Sequence, residues 1–226
     1  MTVGTEPPAN RSEAIRPIAR AAARARAKRF EFFRSLLDRL DRPIRILDVG
    51  GTEAYWRANL GDTENGITVD VVNLGPQKPA ELPYLKTLEG DATDLRDTAD
   101  GTYDVAYSNS VIEHVETWDN QRKMAAEMKR VARSYYVQTP WRHFPLEPHF
   151  LFPFIQYLPK GAKYVIAKNW PLARRMYGNA ELARLHAQTI RLLTRGEMRE
   201  LFPEALFYTE KALGLTKSIT AYHGFK

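Results

Sequence analysis

Five short β-branched runs, each closed by a glycine or polar residue and separated by stretches of helical spacing, constrain this 226-residue chain more than any other feature. IRILDVG (Ile44 to Gly50) is the first and ITVDVVNL (Ile67 to Leu74) the second. Leu85 to Glu89, Tyr103 to Ser108 and Tyr135 to Thr139 follow. Helices fit between them at Ala54 to Leu60 and Trp118 to Arg133. Strands alternating with helices predict an α/β fold with a parallel sheet covered on both faces. Runs this apolar belong to strands buried on both sides.

The flanks read differently. Residues 1–10 are polar, carry two prolines and have no periodicity, which predicts a disordered lead-in. Ser12 to Leu40 is rich in Ala, Arg and Leu and predicts a helix. Its buried stripe is expected at Phe33, Leu36, Leu37 and Leu40, with Arg20, Arg24, Arg26, Lys28 and Arg29 in solvent. Residues 1–45 hold 11 Lys+Arg against 5 Asp+Glu, so the whole net charge of +6 sits in this arm. The expected division is a lead-in and basic helix over 1–40 and a main domain over 41–226. Within the latter, 140–190 reads as a loop-rich insertion, because Pro140, Pro145, Pro148, Pro153 and Pro159 oppose long regular elements. Helical periodicity returns at Ala180 to Leu193, and Thr194-Arg-Gly-Glu197 is a capping box that opens a helix through Leu201. Leu206 to Ala212 and Ser218 to His223 close the chain as strands joined at Gly214.

The absence of cysteine excludes disulfides, thiol catalysis and cysteine-ligated metals, and leaves acid–base work to five histidines and the carboxylates. No apolar run approaches the roughly 20 residues that cross a bilayer. A cytoplasmic setting is expected. An Arg- and Ala-rich, acid-poor start also fits a transit peptide, whereas no apolar stretch behind Met1 suggests a secretory signal.

The sharpest local signal is Asp48-Val-Gly50-Gly51-Thr52-Glu53-Ala54 behind the first strand. Glycines at a strand-to-helix turn let a ligand approach the backbone and the helix N-terminus. Neither the full G-x-G-x-x-G spacing nor a P-loop is present. Asn73, Asp91-Ala92 and Ser108-Asn109 close the next three strands, at the edge where open parallel sheets bind ligands. Each alone is explained as a cap or turn residue; four in succession are not.

With VVNL, LEGDATDL, YDVAYSNSVIEHV and YYVQTP added, the chain from Arg45 to Pro140 resembles the class I S-adenosylmethionine-dependent methyltransferases, in particular their type-11-like group. The resemblance implies a doubly wound, seven-stranded, mostly parallel Rossmann-like sheet with an antiparallel last strand, and S-adenosyl-L-methionine as cofactor. It implies that Asp48, Gly50 and Gly51 underlie the methionine moiety, that Asn73 meets the ribose, Asp91 and Ala92 the adenine, and that Asn109 lies beside the methionine. Thr52 and Ala54 depart from the family's glycines, and Asn73 replaces its usual acid; an amide accepts one hydrogen bond and donates another.

The acceptor side is less determined. His114, after the fourth strand, is the first choice for a base or acceptor ligand and His149 the second, since imidazole titrates near neutrality. His186 and His223 have no motif around them. His143, Glu147 and His149 fall within seven residues, but on a proline-broken loop this is not a metal spacing, and no metal is expected. Phe150 to Pro159 is aromatic and uncharged and reads as lid packing, an acceptor pocket or a peripheral membrane contact. A small, partly hydrophobic acceptor is the expected partner. The alternatives are a donor-binding protein without methyl transfer, or an RNA-modifying enzyme using the basic arm. A neutral body and the lack of an Asn-Pro-Pro-aromatic motif after the fourth strand speak against nucleic acid.

Overall fold

The computed structural model describes residues 16–63, 66–147, 149–173 and 178–226. The expected lead-in lies outside them. One sheet runs through the molecule in the order β3-β2-β1-β4-β5-β9-β8. Its strands are β1 (Ile44–Val49), β2 (Ile67–Asn73), β3 (Leu85–Glu89), β4 (Tyr103–Asn109), β5 (Ala132–Pro140), β8 (Leu206–Ala212) and β9 (Leu215–His223). β1 to β5 are mutually parallel, and β9 runs antiparallel to both β5 and β8. This is the parallel sheet expected from the strand alternation, in the doubly wound, seven-stranded form that the resemblance implies.

Alternation along each strand builds two cores. Ile44 and Ile46 of β1, Val69 and Val71 of β2 and Val105 and Tyr107 of β4 face one side. There Phe30, Phe33, Leu36 and Leu37 of α1 (Arg16–Leu37) and Trp56 of α2 (Glu53–Leu60) cover them. Leu47, Val49, Val72 and Ala106 face the other side, under α3 (Trp118–Val131). α3 presents Gln121, Met124, Ala125, Met128 and Val131 inward, the three- and four-residue spacing of one helix face. Thr117 caps it, accepting from the Asn120 N–H at 3.1 Å.

Two expectations change. Arg29 does not project to solvent; it is buried. It stands four residues before Phe33 and seven before Leu36, so it shares the face of the apolar stripe. The insertion is also more regular than its prolines suggest. A two-stranded ribbon, β6 (Leu146–Glu147) with β7 (Phe152–Pro153), precedes α4 (Lys160–Asn169) and α5 (Ala180–Thr189). The last of those five prolines, Pro159, occupies the N-cap of α4, where its missing N–H costs nothing. Phe150, Ile155, Ala167, Ala173 and Ala183 give the insertion a small core of its own. The predicted capping box is present at the start of α6 (Arg195–Leu201).

Candidate active site

Parallel register brings the strand-end residues to one edge. Val49 pairs with Val72, Asn73 with Glu89 and Asn109 with Gln138. Gly50 and Gly51, Asn73, Asp91 and Asn109 therefore follow one another along the carboxyl ends of four adjacent strands.

The glycine turn has no room for side chains. Gly50 has φ +81°, and a Cβ there would stand 2.5 Å from Val111 Cγ2; one at Gly51 would stand 1.6 Å from Asp48 Oδ2. Asp48 is buried. Trp56 Nε1 donates to its Oδ2 at 2.6 Å, and its Oδ1 has no partner. Burial pushes this carboxyl up to about 7, only partly opposed by the Trp56 bond. A bare backbone turn over an orphaned acidic oxygen fits a ligand that brings an ammonium group, as the methionine moiety of S-adenosylmethionine does. Thr52 and Ala54 are also explained: Thr52 caps α2, accepting from the Tyr55 N–H, and Ala54 lies in the helix's first turn.

Asn73 braces the turn, its Nδ2 donating to the Gly51 carbonyl at 3.0 Å. An acid could not make that bond, which gives the family departure a physical reason. Asp91 Oδ1 accepts from the backbone N–H and hydroxyl of Thr93, both at 2.8 Å. It thus forms a turn, with its side chain exposed, and Ala92 packs against the core. Asn109 Oδ1 accepts from Arg29 Nη1 at 2.5 Å.

Sequence reasoning missed Arg29 as a site residue. Its guanidinium also donates to Gln138 Oε1 at 2.9 Å and to Glu210 Oε2 at 2.6 Å, with Ser218 Oγ on the same Glu210 oxygen. The available signal was an arginine in register with a buried helical stripe.

At the ends of β4 and β5 a second group of side chains converges. Glu113 is buried; Thr139 Oγ1 donates to its Oε2 at 3.0 Å, and its Oε1 has no partner. Burial pushes Glu113 up to about 7. The His114 and His149 rings meet edge-on at 4.9 Å between centroids, and His186 approaches His114 at 6.2 Å. Burial, and after it the neighbouring His149 and His186, hold His114 down at about 3, so it stays neutral throughout the physiological range. His149 Nδ1 bonds Glu147 Oε1 at 2.6 Å. Burial alone would depress His149, but the charges of Glu147 and Glu113 and the Nδ1 bond outweigh it and raise its pKa. His143, though close in sequence to Glu147 and His149, does not join them: its Nδ1 bonds the Tyr157 hydroxyl. His186, which had no motif to recommend it, belongs to the cluster.

A cavity of about 410 Å³ opens beside this cluster, beneath the insertion. Trp118, Phe150, Ile155 and Ile190 supply apolar wall, and Arg142, Lys160, Lys163 and Arg191 line it with positive charge against Glu116 and Glu147. Burial, then the adjacent Arg142 and Lys160 charges, lower the Lys163 pKa. Phe150 and Ile155 of the aromatic run are buried in the insertion's core, while Phe154 and Tyr157 are exposed.

The fold is the Rossmann-like one shared by S-adenosylmethionine-dependent methyltransferases. Residues 47–135 match the model of the methyltransferase-domain family, whose cofactor is S-adenosylmethionine. No curated protein matches the sequence closely enough to count as a relative. Among solved structures, an S-adenosylmethionine-dependent methyltransferase of Methanosarcina mazei superposes with TM-score 0.50 at 12% identity, over 83% of this chain and 94% of that one. A Haloferax volcanii methyltransferase, solved with the Trm112 methyltransferase activator, superposes with TM-score 0.51 at 15% identity over 88% and 94%. A Bordetella parapertussis chain described as a "possible exported protein" superposes with TM-score 0.53 at 14% identity over 88% and 67%. At these identities the likeness is one of fold. No helix among the described residues is long and apolar enough to cross a membrane.

Proposed function

We propose that the protein methylates a small acceptor that is partly apolar and carries an anionic group, held in the cavity beneath the insertion. The observation that carries this is the cavity's lining: aromatic and aliphatic wall joined to Arg142, Lys160 and Lys163, with the Lys163 charge disfavoured first by burial and then by repulsion from Arg142 and Lys160. An anion entering there relieves that repulsion. S-adenosylmethionine, bound at the glycine turn, supplies an electrophilic methyl group. The chain's own part is chiefly positioning, which can provide most of the acceleration of an in-line transfer. Asp48 and the Gly50-Gly51 turn receive the donor's amino acid end; Asn73 keeps the turn in place, and Asp91, Ala92 and Asn109 border it. His149 and His114 stand behind the cavity wall at Glu147, which lines the cavity and orients His149.

Calorimetry on the full chain with S-adenosylmethionine and S-adenosylhomocysteine tests the donor. Radiolabelled donor with metabolite extract fractionated by charge tests the acceptor, and label is expected in small anionic products. Lys163→Met and Arg142→Met should each raise the KM for that acceptor about tenfold, with donor affinity unchanged. Absence of donor binding refutes methyl transfer; equal labelling of neutral compounds by the variants refutes the anion.

A further inference from the structure

We propose that Glu113, His114 and His149 form a binding site for a divalent transition-metal cation at the carboxyl end of β4, beside the acceptor cavity. The inference rests on the function proposed above and deepens it, placing a cation beside the acceptor cavity.

One ligand atom from each of the three residues lies within 4.8 Å of the other two. Glu113 Oε1 is a buried carboxylate oxygen with no hydrogen-bond partner, and it stands 4.0 Å from His149 Nε2. That separation is too long for a hydrogen bond. Bonds of about 2.0–2.2 Å from a shared metal would draw the two atoms together by under about 1 Å. The surrounding bonds leave the lone pairs in the right places. Glu147 takes the Nδ1 proton of His149 and so fixes the tautomer that exposes Nε2. Glu147 itself is held by the backbone N–H groups of His149 and Phe150, at 2.8 and 2.9 Å. Thr139 takes one oxygen of Glu113 and leaves the other. A histidine locked by a carboxylate on its far nitrogen is the usual outer support of a metal-bound imidazole.

Two imidazoles and one carboxylate suit Zn(II), Co(II), Mn(II) or Fe(II) better than Mg(II), and three protein ligands leave coordination positions for an acceptor's oxygen. The linear spacing that the sequence offered, His143 with Glu147 and His149, fails because the real partners come from two separate segments, one after β4 and one in the insertion.

The test is metal binding by the full chain after chelation and desalting, titrated separately with Zn(II), Co(II) and Mg(II) and read by calorimetry, Co(II) visible absorption and metal content. One equivalent of Zn(II) or Co(II) per chain is expected, with Mg(II) much weaker. Glu113→Gln, which keeps the Thr139 bond, and His114→Ala should each weaken Zn(II) binding at least tenfold. Glu147→Gln, one bond removed from the metal, should weaken it by about tenfold, whereas His143→Ala should leave it unchanged. Circular dichroism and melting confirm that each variant is folded, and His114→Ala decides the matter should Glu113→Gln unfold. Substoichiometric binding, equal affinity across folded variants, or preference for Mg(II) overturns the site. Donor calorimetry on the same samples separates the two proposals: metal binding without donor binding refutes only methyl transfer, and donor binding without metal binding refutes only the metal site.

Discussion

The two halves of the candidate site are built by different means. The donor edge, from Gly50 to Asn109, is made by the ends of four parallel strands whose positions follow from register, and its polar groups bond mostly to nearby backbone: Asn73 to Gly51, Asp91 to Thr93. The acceptor side is made by side chains far apart in sequence, with His149, Arg142 and Ile190 brought against Glu113 and Trp118 by an insertion that has its own small core. Regular secondary structure fixes the first; particular packing contacts fix the second. The donor half of such a site can therefore be shared widely among sequences, while the acceptor half is individual to a chain.

Arg29 ties the strand edge at Asn109 to the closing hairpin at Glu210 and should give the largest effect. Arg29→Met leaves Glu210 buried without its cation and is expected to cost about 3–5 kcal/mol in chemical denaturation. A loss under 1 kcal/mol would mean that the closing hairpin is held to the strand edge by other means. Next is the pH dependence owed to Asp48. Its folded pKa of about 7 exceeds the unfolded value of 3.8, so between these limits the native state keeps a proton that the unfolded chain has released. The stability contribution is greatest below pH 4, falls by up to about 4 kcal/mol as the pH rises to 7, and is flat above that. Asp48→Asn, which still accepts from Trp56, should abolish that part of the slope in denaturant titrations; an unaltered slope would assign it elsewhere.

Smaller effects sharpen the contrast. Ile155→Ala, in the insertion's core, should cost about 3 kcal/mol of local stability. Hydrogen exchange should rise within 146–190 while the strands of the sheet stay protected, and equal loss of protection throughout would show one cooperative unit. Asn73→Asp removes the bond to Gly51 and sets a carboxylate against that carbonyl. A loss of about 1 kcal/mol is expected, with weaker donor binding by calorimetry. Unchanged or tighter donor binding would return Asn73 to the role the family gives its acid.

Those same contrasts explain what could be read in advance. The strand runs, the glycine turn and the Thr194 capping box are local patterns with fixed geometric meaning, so the sheet and the strand-end residues along its carboxyl edge were legible from Ile44 to Asn109. Arg29 was misassigned because a charge run suggests a solvated face, and only its register with Phe33 and Leu36 betrayed burial. α4 was hidden by five prolines that all lie before it. His186 joined the cluster through packing between α5 and the segment after β4, which no spacing in the chain announces.

The Arg29–Glu210 bond also sets an order of events at the ribosome. The two residues are 181 positions apart, and synthesis at about 5–20 residues per second separates their emergence by on the order of 10 s or more. Through that interval α1 and the first five strands can assemble, yet the edge of β5 lacks β9, and Arg29 has only the amide oxygens of Asn109 and Gln138 for company. The closing hairpin, β8 with β9, covers the open strand and delivers the counter-charge in a single step. Completion of the carboxyl edge of the sheet is thereby tied to arrival of the last-made segment, and a nascent chain stalled before Glu210 holds a nearly whole sheet with that edge unfinished.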